Sequence, residues 1–213
     1  SIGAPRRARA HVRMSEQTTG LGGDDETWPP LPVGQVRLRL LTDVTCADLR
    51  GPTACELQTP DEMLASVAKL GPDPLVDDPA EGEERFVATV RRKPTPIGLL
   101  LMDQAVVSGI GNVYRAELLF LCGIHPARPA SSLDDGEFDE LWRRTVDLLR
   151  IGVRLGRIVT TDPDEIGRPR SRMRAEDRLY VYHRDHCRRC GTELGVLELG
   201  GRPIWFCPTC QPR

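Results

Sequence analysis

Cys187, Cys190, Cys207 and Cys210 are spaced C-x2-C-x16-C-x2-C, within the range of a four-thiolate metal site. A C-x-x-C turn lets two thiolates face one ion, and two such turns complete a tetrahedron with no open position. The chemistry is therefore structural: one Zn2+ that stabilises a segment too short to bury its own core. Two disulfides, or incidental thiols, are the alternative. The sequence shows neither a secretory h-region nor an apolar run long enough to span a membrane, so a cytoplasmic compartment that keeps thiols reduced is expected. Four thiolates and one dication leave a charge of −2, which Arg188 and Arg189 are placed to neutralise. Cys46, Cys55 and Cys122 lie among apolar residues and are expected to pack.

The second stretch with chemical content is "LLLMDQAVVSGIGNVYRAELLFLCGIHPARP", Leu99 to Pro129. Asn112 is expected to cap a helix, leaving the amides of Gly111 to Val113 at its N-terminus. Such an end attracts an anion, because unpaired N–H groups and the helix dipole both point at it. Glycine at 109 and 111 lets a phosphate approach the backbone closely. The competing reading is an ordinary helix hairpin whose glycines only pack.

Net charge is −2, which argues against a nucleic-acid partner, but the charge is unevenly spread. From Glu140 onward there are 15 Arg against 10 Asp and Glu, and Lys69 and Lys93 are the only lysines in the chain. Guanidinium suits phosphate through its paired donors, although biased base composition would produce the same excess.

These residues need elements to hold them. Residues 1–32, with "PRRAR" and "WPPLP", read as an irregular start. "VGQVRLRLL" (33–41) alternates at period two and predicts a half-buried strand. "TCADL" and "ACELQ" predict two more, parted by "RGPT". Thr59 to Glu62 opens a helix stopped by Gly71, and "PDPLVDDPAEG" reads as a loop. Helices are expected over 83–92, 97–107, 112–122 and 134–155, a polar connection over 160–177, and two cysteine-bearing hairpins over 180–213. The fold class is α+β.

"LLMDQAVVSGIGNVYRAELLFLCGIHP", followed some sixty residues later by the four cysteines, resembles the formamidopyrimidine-DNA glycosylase/endonuclease VIII family. "VGQVRLRL", "DLRGPTACEL" and "LGPDPL" are similar to its actinobacterial endonuclease VIII-like members. "RAEDRLYVYHRDHCRRCGTEL" and "GGRPIWFCPTCQ" are similar to the family's finger region. The resemblance runs from about Pro32 to the C-terminus. It implies a partial β-sandwich (1–78), a helical DNA-binding domain with a helix–two-turns–helix motif (79–178) and a zinc finger (179–213).

The activity implied is excision of oxidised bases followed by strand cleavage at the abasic site, with the target nucleotide flipped out of the duplex. In the family an N-terminal proline amine forms a Schiff base at C1′ while an adjacent glutamate and a β-hairpin lysine move protons. The resemblance assigns Arg202 to the finger arginine that grips phosphate and assists elimination, and Asn112, with Gly111, to a backbone phosphate. Arg50 and Lys93 are further candidates for DNA contact, and His125 is expected to pack or cap. The implied partner is damaged or abasic DNA, with no membrane and no second copy required. The chain begins Ser1-Ile2 without the Pro-Glu pair, and no lysine precedes Lys69. The catalytic residues are thus expected outside these 213 residues. A DNA-binding protein without cleavage, or a zinc-ribbon interaction protein, are the rival readings.

Overall fold

β-Branched and leucine side chains alternating with arginine favour extended chain, and Val36–Leu41 forms strand β1, paired antiparallel with β2, Cys46–Arg50. The turn between them is closed by Thr42, whose Oγ1 accepts from the Val44 and Thr45 amides. In the computed structural model, residues 28–51 and 55–213 are described, and the chain divides into two units, Ser1–Met63 and Leu64–Arg213. The irregular start expected for 1–32 lies outside the described residues up to position 27, as do Pro52 and Thr53 of the expected "RGPT" turn.

Within the first unit the described strands form one two-stranded sheet. The half-buried strand expected at 33–41 is in fact exposed, with Leu38 and Leu40 retaining 45% and 61% of their surface. Arg39 holds the two strands by a bidentate pair with Asp48, at 2.6 and 2.8 Å. Cys55 to Thr59 is not a strand, contrary to expectation, and Cys55 is exposed rather than packed. Helix α1, Pro60–Val67, begins with a reciprocal cap: Glu62 accepts from the Thr59 amide while Thr59 Oγ1 accepts from the Glu62 amide.

The second unit is built around aromatic packing between α2 (Pro79–Val90) and α5 (Asp135–Leu155). Phe86 stacks on Trp142 at 5.6 Å and meets Phe138 edge-on at 6.4 Å. Gly82 is what lets the helices close: a Cβ there would lie 2.6 Å from Trp142 Cζ2. The indole N–H donates to the Pro79 carbonyl at 2.8 Å. α2 begins earlier than the expected residue 83 because Asp78 caps it and Pro79 fits its first position. α5 opens with an Asp134–Glu137 capping box and ends at Gly156 in the left-handed conformation.

The helix expected over 97–107 stops early. α3 covers only Ile97–Leu100, and successive turns follow. Asp103 Oδ1 accepts from the Ala105 amide, offering the backbone a local alternative to helix, and the Gln104 carbonyl is drawn off to the Gly71 amide. α4 (Asn112–Leu121) then runs through the core, buried from Tyr114 to Phe120. After α5, a short α6 (Pro163–Ile166) and two 3-10 turns (Arg170–Arg172 and Ala175–Asp177) lead to one regular hairpin, β3 (Gly195–Leu199) with β4 (Arg202–Phe206). The second expected hairpin is reduced to a bridge between His186 and Glu193 around the first cysteine pair.

Candidate metal centre and nucleic-acid interface

The knuckle turns bring the four cysteine sulfurs within 4.8 Å of one another. Zinc bound by four thiolates at about 2.3 Å requires sulfur–sulfur edges of roughly 3.8 Å. The edges Cys187–Cys210, Cys190–Cys210 and Cys190–Cys207 measure 4.0, 3.6 and 3.4 Å. The donor set therefore fits one tetrahedral zinc ion, which would supply no reactivity and would tie the two knuckles together. Hydrogen bonding to Thr192 holds the Cys190 thiol down at about 6, whereas burial raises Cys187 and Cys210. Arg188 and Arg189 do not turn to the thiols. Arg188 pairs with Asp177 at 3.6 Å, and Arg189 pairs with Glu165 at 3.2 Å while lying over the Phe120 and Tyr180 rings.

Two buried charged side chains on α4 fix the finger to the helical body. The Glu117 carboxylate accepts from the amides of Tyr180, Val181 and Tyr182 at 2.7–2.9 Å and from the Thr160 hydroxyl. Arg115, fully buried, donates to the carbonyls of Gly98, Leu199, Arg202 and Pro203 at 3.1–3.4 Å and to Asn112 Oδ1 at 2.5 Å. Burial, with the nearby positive charge of Arg202, lowers its pKa to about 10. Gln211 adds a third tie, accepting from the Cys207 amide and donating to the Ile124 carbonyl. None of these was singled out from sequence. Arg115 and Glu117 had a signal, as the only charged residues in the otherwise apolar "NVYRAELLFL".

The consequence is that Asn112 and Arg202 share one place. Asn112 Nδ2 donates to the Pro203 carbonyl at 3.0 Å, beside Arg202 in β4. Asn112 is the first residue of α4 rather than its cap. The cap is Gly111, which is extended and makes no side-chain bond, so the first amides of the helix have no capping oxygen. Nothing lies within 4 Å of where a Cβ of Gly109 or Gly111 would be. Gln104 braces this turn from both sides, accepting from the Gly109 amide and donating to the Ile110 carbonyl. A hollow of about 280 Å3 lies alongside, lined by Leu99, Met102, Asp103, Arg115, Leu199, Gly200 and Arg202.

The other candidates have partners of their own. Arg50 belongs to the first unit, where its guanidinium pairs with Asp48 at 3.1 Å. Lys93 follows the end of α2, and its carbonyl accepts from the Ser131 amide. No described hydrogen bond or ion pair joins it to Asn112 or Arg202. His125 is buried, its Nδ1 accepting from the Ala127 amide and its ring edge-on to Phe206, which matches the expected packing role. Cys122 is half-buried, and burial pushes its thiol up to about 12.

Two short turns between helices, set against a four-cysteine finger, define the class of helix–two-turns–helix proteins. Residues 70–164 match the formamidopyrimidine-DNA glycosylase H2TH domain. The chain is 43% identical over 214 residues to "Endonuclease 8 1" of Mycobacterium tuberculosis, an alignment covering 99% of this chain and 78% of that protein. It is 33% identical over 153 residues to the formamidopyrimidine-DNA glycosylase of Synechococcus, covering 71% of this chain and 53% of that one. With these relatives the chain belongs to the formamidopyrimidine-DNA glycosylase/endonuclease VIII family. Among solved structures it is similar to Lactococcus lactis FPG (MutM) in complex with FAPY-dG-containing DNA, with a TM-score of 0.59 and 28% identity over 72% of this chain. The same enzyme with abasic-site DNA superposes equally well. The alignments with the Synechococcus and Lactococcus enzymes cover 53% and 56% of those chains.

Proposed function

We propose that this chain is the DNA-gripping part of a DNA glycosylase/AP lyase of base-excision repair, acting on oxidised bases and abasic sites. The observation that carries the reading is the meeting of Asn112 and Arg202, held by Arg115, beside an open helix N-terminus. In this reading a DNA phosphate sits against the first α4 amides and the second N–H of the Asn112 side chain, with the Arg202 guanidinium closing over it. Both donor sets favour an anion, and the guanidinium assists elimination by holding the departing phosphate. One structural zinc ion keeps the Arg202 hairpin in place. The proposed division is a β portion to residue 78, the helical portion 79–178 and the finger 179–213. Arg50 and Lys93 are assigned supporting phosphate contacts. Among the described residues no helix is long and apolar enough to cross a membrane.

A second reading, binding of damaged DNA without cleavage, draws on the same grip, because Asn112 and Arg202 would hold a phosphate without any chemistry. Borohydride trapping of the 213-residue protein on an oligonucleotide with one abasic site tests both. Tight binding without a covalent adduct is the expected result. A stable adduct would place a reactive amine within residues 1–213. Absence of any binding to abasic duplex DNA would overturn both readings.

A further inference from the structure

A groove of about 820 Å3 runs along α5, lined by Leu75, Arg143, Arg144, Asp147, Leu148, Arg150, Ile151, Val153, Arg154 and Arg170. It shares no lining residue with the hollow beside Arg202. Five guanidiniums face one carboxylate within it. Arg143 and Arg144 already hold Glu140, and Arg143 also reaches Asp147 at 3.4 Å. Arg150 and Arg154, both exposed and one helical turn apart, have no ion-pair partner among the described residues. Arg170 spends only its Nε, on the Thr161 carbonyl. Between the arginines the groove is apolar, with Leu148 buried and Leu75 and Val153 left 41% and 68% exposed.

We infer that this groove docks an acidic peptide segment of a partner protein, one that alternates carboxylates with apolar side chains. Uncommitted arginines on a rigid helix present paired donors that match carboxylates, and arginine is enriched where protein partners meet. Arg150 and Arg154 are spaced to take two acidic side chains one turn apart. The apolar lining decides between the two polyanions that arginine attracts. Leu75, Ile151 and Val153 gain by covering apolar side chains, which a sugar–phosphate backbone does not offer. The inference stands apart from the proposed DNA grip and survives if that grip is wrong.

The test is fluorescence anisotropy with a panel of labelled acidic heptapeptides carrying leucine or phenylalanine between aspartates and glutamates. Matched peptides with asparagine and glutamine, and a labelled abasic duplex, run beside them. Acidic members are expected to bind about tenfold tighter than their amide controls, and Arg150→Glu with Arg154→Glu to remove that preference. Both positions are exposed, so thermal melting and abasic-duplex binding should not change. Failure of every acidic peptide to outbind its control overturns the inference, as does binding that the double reversal leaves intact. Loss of duplex affinity in the reversed protein would also overturn it, because the groove would then belong to nucleic acid.

Discussion

α5 and the cysteine finger both pack on α4, but different forces hold them there. α5 is held by area: its Phe138 and Trp142 interlock with Phe86 of α2, and Leu148 and Leu149 are buried. The finger presents few large side chains to the core, chiefly Tyr180, Val181 and Ile204. Its placement comes instead from directed bonds, through Glu117 at its entrance, Arg115 at its tip and Gln211 at its second knuckle. Apolar packing tolerates small shifts, whereas a hydrogen bond weakens steeply with distance and angle. On the role proposed for Arg202, a hairpin that presents one guanidinium at one place is better located by bonds than by area.

Chelation is the most severe way to break the comparison. With zinc withdrawn the finger should lose amide-exchange protection across 180–211 while α5 keeps its own. Structural zinc contributes roughly 10 kcal/mol or more to such segments. Affinity for abasic duplex should fall about a hundredfold. Protons compete with the metal for thiolates, so zinc retention is greatest at alkaline pH and is lost as pH falls. Retained protection in the chelated protein would mean that α4 alone holds the finger.

Glu117→Gln keeps the shape but offers one acceptor oxygen to three backbone amides, and should destabilise by about 3 kcal/mol in chemical denaturation. The finger's zinc should remain, read by a colorimetric thiol-release assay. Gly82→Ala probes the other side. Alanine favours helix, yet its Cβ meets a tryptophan ring pinned by Phe86 and by its own bond to Pro79, so a loss of about 1–3 kcal/mol is expected. DNA affinity should not move, and a fall in it would show that the two regions are coupled. The smallest effect belongs to the first unit. Asp48 is held down to about 2, chiefly by its bond to Arg39, so the pair's contribution is present above the ordinary carboxylate range. It is lost as pH falls from about 4 toward 2. Because the pair joins only these two strands, acid titration followed by NMR should show strand β1–β2 shifts without unfolding of the second unit.

What the sequence made legible follows from locality. The C-x-x-C pairs, the Asp134 capping box and the Asn112 helix all depend on residues a few positions apart. The Asp78-Pro79 start of α2 was equally local and was misread as loop because "PDPLVDDPAEG" looks irregular throughout. The early stop of α3 could not be read locally, since the Gln104 carbonyl answers to Gly71 across the chain. The exposed leucines of β1 were misjudged because period-two alternation reports a strand, not what covers it. The tie between Asn112 and Arg202 was expected only as two separate roles. Arg115, which makes them one site, needed the coordinates.

The bond from Asn112 to the Pro203 carbonyl spans 91 positions of chain. Closing so long a loop is slow compared with winding α4, whose bonds are all local. During synthesis the helical body can therefore form while the grip does not yet exist. Until Cys210 has emerged and the four thiols can meet, the new chain carries a finished α4 whose N-terminal end has nothing to close over it.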